Sequence, residues 1–63
     1  MKLKSIIEKN KEYIGEYVCY CYLGSKFITR VKISELTKDQ LNEKWYSREW
    51  WIEDNDLCLM RDR

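Results

Sequence analysis

Histidine, proline and alanine are missing from this 63-residue sequence, and glycine occurs only twice. Without histidine there is no side chain whose ordinary pKa lies near neutrality to act as a general base. Two glycines cannot build a glycine-rich phosphate loop. Cysteine is scarce and odd in number, at three residues, which argues against a disulfide-stapled secreted scaffold and for a reducing compartment. No apolar run approaches the ~20 residues of a membrane span. The opening stretch has only Ile6 and Ile7 as adjacent apolar residues before Glu8, so no signal peptide is expected and the expected location is the cytoplasm.

What remains is large, aromatic and charged. Three Trp, five Tyr and one Phe accompany many Ile and Leu. A chain of this length allows one domain, residues 1–63, and buries only about 60% of its unfolded surface, so bulky side chains must supply a thin core. With no staple, oligomerisation is a recognised route to stability for folds of this size. The net charge of +1 conceals an asymmetry: residues 1–33 carry seven Lys/Arg and three Asp/Glu, and residues 34–63 carry five and eight. The halves therefore stand at +4 and −3, less basic than a non-specific nucleic-acid binder. Lys, Ile, Asn and Tyr supply 22 residues while Gly, Ala, Arg and Pro supply 6, a leaning towards AT-rich codons that fits low-GC bacteria, their phages and mobile elements.

The spacing predicts an α+β fold in the order α-β-β-α-β-β, with two hairpins forming an antiparallel sheet and helices packed on one face. Residues 2–14 form an amphipathic pattern, with Leu3, Ile6, Ile7, Asn10 and Ile14 near one face and Gly15 placed for a left-handed C-cap. Glu16–Leu23 and Lys26–Ile33 flank Gly24-Ser25, a two-residue loop suited to a type II′ turn. That register sets Val18 opposite Val31, Tyr20 opposite Thr29 and Tyr22 opposite Phe27 on the core face. The other face carries Leu23/Lys26, Cys21/Ile28, Cys19/Arg30 and Tyr17/Lys32, and its half-apolar character predicts partial cover by another element or a partner. Residues 37–46 start with Thr37 as N-cap, Gln40 closing a capping box and a Leu36–Leu41 staple, with Leu41 and Trp45 as the inward stripe. Arg48–Glu53 and Asp56–Arg61 pair around Asp54-Asn55, setting Ile52 opposite Leu57, Trp50 opposite Leu59, and Trp51 opposite Cys58 on the reverse face.

Catalytic residues are not expected. Cys19, Cys21 and Cys58 are the one metal constellation to consider, but a fourth ligand is lacking and the cysteine spacing is wrong for zinc. They are read as half-buried apolar residues, with no metal or cofactor. The unusual stretch is Trp45–Trp51, because Trp, Tyr and Arg are the residues that anchor interfaces. Strand alternation forbids Trp50 and Trp51 from facing one core together, and the register points Trp51 outward. The expected function is a non-enzymatic protein-binding module, a small inhibitor or regulator that occludes a host or cognate protein. A phage or mobile-element product blocking a host defence factor fits the composition, with the host cytoplasm as its location. Trp45, Tyr46, Trp50 and Trp51 would anchor that partner, and Glu49, Glu53, Asp54 and Asp56 would supply charge. An alternative is nucleic-acid binding through Tyr17, Lys26, Arg30 and Lys32. A weaker alternative is a small-molecule sponge at a dimer interface, and homodimerisation through the half-apolar hairpin face is expected under the first and third readings. No membrane partner is expected.

Overall fold

The computed structural model describes residues 1–22 and 28–61, with the backbone alone at Tyr22 and Ile28. Its elements are α1 (Leu3–Lys9), β1 (Tyr17–Tyr22), β2 (Ile28–Lys32), α2 (Lys38–Asn42), β3 (Trp50–Glu53) and β4 (Asp56–Arg61), with 3-10 turns at Ile33–Glu35 and Ser47–Glu49. The α+β class follows the pattern in the sequence; the order of elements does so in part, with 3-10 turns interposed before α2 and before β3. The predicted turn Gly24-Ser25, the pairs Tyr22/Phe27 and Leu23/Lys26, and Lys26 as a contact residue lie outside the described residues.

Both hairpins take the predicted register. Val18 pairs with Val31, Cys19 with Arg30 and Tyr20 with Thr29, while Trp50 pairs with Leu59, Trp51 with Cys58 and Ile52 with Leu57. The second hairpin closes through Asp54 (φ 50°) and Asn55 (φ 66°). Two successive left-handed residues match the twist of the strands, and Asp and Asn tolerate that conformation better than most side chains.

The sheet itself is mixed rather than antiparallel throughout. Its strand order is β2-β1-β4-β3, and the central pair β1 and β4 runs parallel, with Val18 beside Leu57, Cys19 beside Cys58 and Tyr20 beside Leu59. The chain leaves β2 at one edge, crosses through α2 and enters β3 at the opposite edge, so β4 returns along β1 in the same direction. Inner strands lack solvent-facing edges, which explains why Val18, Cys19, Leu57, Cys58 and Leu59 are all buried while charged residues collect on β2.

One face of the sheet carries the core. Val18, Leu57 and Leu59 pack against Leu3 and Ile6 of α1 and against Leu36 and Trp45, with Tyr20, Val31, Leu41, Trp50 and Ile52 at the margin. Both helices are shorter than the periodicity predicts. α1 ends at Asn10, whose side-chain amide donates to the Ile6 carbonyl at 2.9 Å. That bond competes with the backbone ladder and displaces Gly15 from the capping role. Gly15 N–H instead donates to the Asn55 carbonyl, tying the segment before β1 to the second turn. α2 keeps its capping box, with Gln40 N–H donating to Thr37 Oγ1 (3.2 Å) and Thr37 N–H to Gln40 Oε1 (2.9 Å). It stops at Asn42 because the next residues pair with the start of the chain. Leu3 N–H donates to the Glu43 carbonyl (2.9 Å), Trp45 N–H to the Met1 carbonyl (2.8 Å), and Lys2 bridges Lys44. Trp45 therefore enters the core from an extended segment rather than from a helix stripe.

Candidate functional site

The reverse face of the sheet is bare among the described residues. Strand alternation and the two registers arrange its side chains in rows that cross the strands. Lys32, Tyr17, Asp56 and Glu53 form one row, and Arg30, Cys19, Cys58 and Trp51 the next. Cys21 and Met60 begin the third. Tyr17, Lys32, Arg30, Trp51, Glu53 and Asp56 come from both predicted sites, protein-binding and nucleic-acid-binding. The parallel β1–β4 pairing, which hydropathy alternation does not specify, merges those two sites into a single surface.

Several members of this face are already engaged. Arg30 reaches across β1 to Asp56, with Nη2 at 3.1 Å from Oδ2, and its guanidinium lies 4.2 Å from the centre of the Tyr17 ring. Cys19 sits beneath that bridge and its thiol lies 3.5 Å from Asp56 Oδ2. Asp56 is thus an internal partner rather than a free acid for a basic target. Arg30 is likewise committed, which weakens it as a phosphate ligand. The Trp51 indole N–H donates to Glu53 Oε2 at 3.4 Å, so the half-buried ring is held along the β3 edge beside Cys58.

The floor between these groups is formed by thiols. Cys19 and Cys58 are 7% and 5% exposed, with Arg30, Asp56 and Trp51 as their neighbours on this face. Burial is the main cause that pushes the Cys58 thiol up to about 12, with nearby Cys19, Cys21 and Glu53 adding to it. Burial also raises Cys19, reinforced by Asp56, and it raises Cys21, reinforced by Glu53. A thiol that resists ionisation is a poor nucleophile and a poor metal ligand. Among the described residues no group of three or more Cys, Asp or Glu is placed to hold a metal ion.

These shifts have a sign. A Cys58 pKa raised above the unfolded value of ~8.5 contributes stability that is complete below that value. The contribution is lost as pH rises from there towards about 12. Melting temperature is therefore expected to fall above pH ~8.5 more steeply in the native sequence than in Cys58→Val. At pH 8, Cys58 in the folded protein should resist a maleimide that labels all three thiols in guanidinium, read by mass spectrometry. Equal labelling rates in both states would contradict its burial.

The remaining predicted anchors scatter. Trp45 is 5% exposed and has no surface left to offer a partner, which corrects its assignment as a contact residue. It was drawn inward by the backbone pairing with Met1. Trp50 points to the core side and is half-buried. Tyr46 is 68% exposed and sits beside the 3-10 turn, where Arg48 lies 5.3 Å from its ring centre. Glu49 accepts from Tyr46 N–H at 2.9 Å and from Arg61 Nε at 3.2 Å, so it is a structural acid rather than a docking charge. Asp54 is exposed in the turn. Met60, two residues beyond Cys58 and so on the same side of β4, takes its place on this face beside Cys21, as the alternation of the second hairpin predicts.

Two clefts accompany the face. One, of about 510 Å³, lies between the end of α1 and the start of the 3-10 turn after β2, lined by Ile7, Ile14 and Ile33 with Lys11 and Lys32 at its rim. The other, of about 320 Å³, opens beside Tyr20, Gln40, Trp45 and Arg61. No helix among the described residues is long and apolar enough to cross a membrane. The chain matches no protein family, no curated protein and no solved structure to which it was compared.

Proposed function

We propose that this chain is a non-enzymatic protein-binding module whose binding surface is the bare face of the mixed sheet. One observation carries the reading: a four-stranded sheet has one face packed on the core and the other, bearing Trp51, Tyr17 and Met60 among charged edges, without a covering layer among the described residues. A half-buried Trp beside apolar and charged neighbours is the composition found at the centres of protein interfaces. Occlusion of a partner is the mechanism such a surface serves best. The narrower reading, a phage- or mobile-element-encoded inhibitor of a host defence factor acting in the host cytoplasm, rests on small size and AT-rich composition.

Nucleic-acid binding draws less support, because Arg30 is held by Asp56 and stacked on Tyr17, and the same face carries Glu53. The test is an affinity capture from lysate, with and without nuclease, using the native chain and Trp51→Ala. The expected result is a protein partner retained after nuclease and reduced at least tenfold by Trp51→Ala, the effect of losing an aromatic anchor. Capture of nucleic acid alone, abolished by nuclease, or of proteins indifferent to Trp51, would defeat the reading.

A further inference from the structure

The bare sheet face is self-complementary, and we infer that its partner is a second copy of this chain, stacked face to face about a two-fold axis parallel to the strands. The inference rests on the binding-face reading above and names the occupant.

The argument follows from the cross-strand rows. Along the first row, Lys32 stands on edge strand β2 and Glu53 on edge strand β3, with Tyr17 and Asp56 between them. Along the second, Arg30 and Trp51 occupy the same two edges with Cys19 and Cys58 between. A two-fold axis along the strands exchanges left and right but leaves height unchanged. It sets β2 of one copy over β3 of the other without moving either row. Lys32 then faces Glu53 of the second copy, and Glu53 faces its Lys32. Arg30 faces Trp51 in the same reciprocal way, a guanidinium against the aromatic ring that binds it best. Cys19 and Cys58, 7% and 5% exposed, form the floor beneath this contact. A two-fold axis across the strands would instead stack β2 on β2 and β3 on β3, setting the basic edge of Lys32 and Arg30 over its own copy and the Glu53 edge over its own. Charge therefore selects one symmetric arrangement and opposes the other. Lys32 and Glu53 are both exposed and form no salt bridge within the chain among the described residues; the Glu53 carboxylate accepts from the neutral Trp51 N–H, which leaves its charge uncompensated. Stacked sheets lie about 10 Å apart and cross at about 30°, a separation that long edge side chains can bridge.

Size sets the strength. Four strands about 4.8 Å apart and about five residues long cover roughly 300 Å² of plan area per copy. The pair buries about 800 Å² in total once side-chain relief is included, below the standard interface. The dimer is therefore weak and concentration-dependent.

Sedimentation equilibrium of the full chain between about 5 µM and 1 mM, a range wide enough to catch a weak dimer, reads the inference directly, with circular dichroism confirming that each variant is folded. The native chain should pass from monomer to dimer. Lys32→Glu and Glu53→Lys should each weaken the dimer about tenfold or more, since each sets like charges opposite one another twice per dimer. The double exchange Lys32→Glu/Glu53→Lys should restore it. A chain that stays monomeric throughout overturns the second-copy assignment, and so does a dimer indifferent to both single exchanges. If such a monomer still captures a different protein through Trp51, the binding face stands and only its occupant is wrong.

Discussion

Trp45→Ala is expected to leave the protein unfolded or barely folded at 25 °C. Trp45 is the largest side chain in the core, 5% exposed, and it touches three separate parts of the structure. Its ring lies 6.2 Å from that of Tyr20, Arg61 stacks 3.9 Å from its centre, and its backbone N–H pairs with the Met1 carbonyl. Truncating a buried Trp typically costs about 3–5 kcal/mol, while a 63-residue chain has a total stability of only about 3–9 kcal/mol on the usual per-residue scale. The loss is therefore comparable with the whole. Trp45→Phe separates volume from polarity. The indole N–H is buried with no hydrogen-bond partner among the described residues, so replacing it by a ring without a donor removes an unsatisfied group worth about 1–3 kcal/mol. This offsets part of the lost volume, and Trp45→Phe should remain folded with a far smaller fall in melting temperature. Thermal unfolding by circular dichroism decides the matter, at roughly 4–8 °C per kcal/mol for a domain of this size. A Trp45→Ala protein melting within a few degrees of the native chain would show that Trp45 does not hold the core together.

Trp45 also shows where sequence reading stops. Leu41 and Trp45 are four apart, and that spacing is helical whether or not the chain stays helical between them. The extended course of Glu43–Trp45 is imposed by hydrogen bonds to Met1 and Leu3, forty or more residues away, and no local pattern encodes them. The hairpins were legible because a slip of one residue would exchange the core and solvent faces of every side chain. For the same reason, the opposite orientation of Trp50 and Trp51 could be read from alternation alone. The joining of the hairpins was not legible, since alternation is identical for parallel and antiparallel neighbours. A signal did exist in the thiols. Cys19 and Cys58 make the second face apolar at the middle of β1 and β4, as befits inner strands, while Lys32 and Glu53 mark β2 and β3 as edges. With that order, the two predicted sites would have merged into one surface on paper. Trp45 and Trp50 entered the predicted site because composition alone does not tell a core tryptophan from an anchoring one.

Arg61→Ala should destabilise the fold by about 2 kcal/mol, and Arg61→Lys should recover little of it. Arg61 closes the open end of the core. Its guanidinium pairs with Glu43 and donates through Nε to Glu49 at 3.2 Å. It also donates to the Lys44 carbonyl while lying flat over Trp45. About a third of the side chain is exposed, at 34%, so the ion pairs themselves are screened and contribute little. Most of the loss comes from the carbonyl bond and from the stacking, each about 1 kcal/mol. Lysine carries the charge but lacks the planar fork that meets three acceptors at once and covers a ring. The acid limb supplies a second readout. Glu49 is held below its ordinary pKa first by the Tyr46 backbone N–H and then by Arg61. A lowered folded value means that its contribution is present above the unfolded pKa of ~4.3 and disappears as pH falls through the folded value. Arg61→Ala removes the second cause and leaves the first, so Glu49 moves back part of the way and stability should decline less steeply with acid than in the native chain. Urea melts at pH 7 and pH 3 measure both effects together. A variant with the native acid slope, or a Lys variant as stable as the native Arg, would show that the fork over Trp45 is not what closes the core.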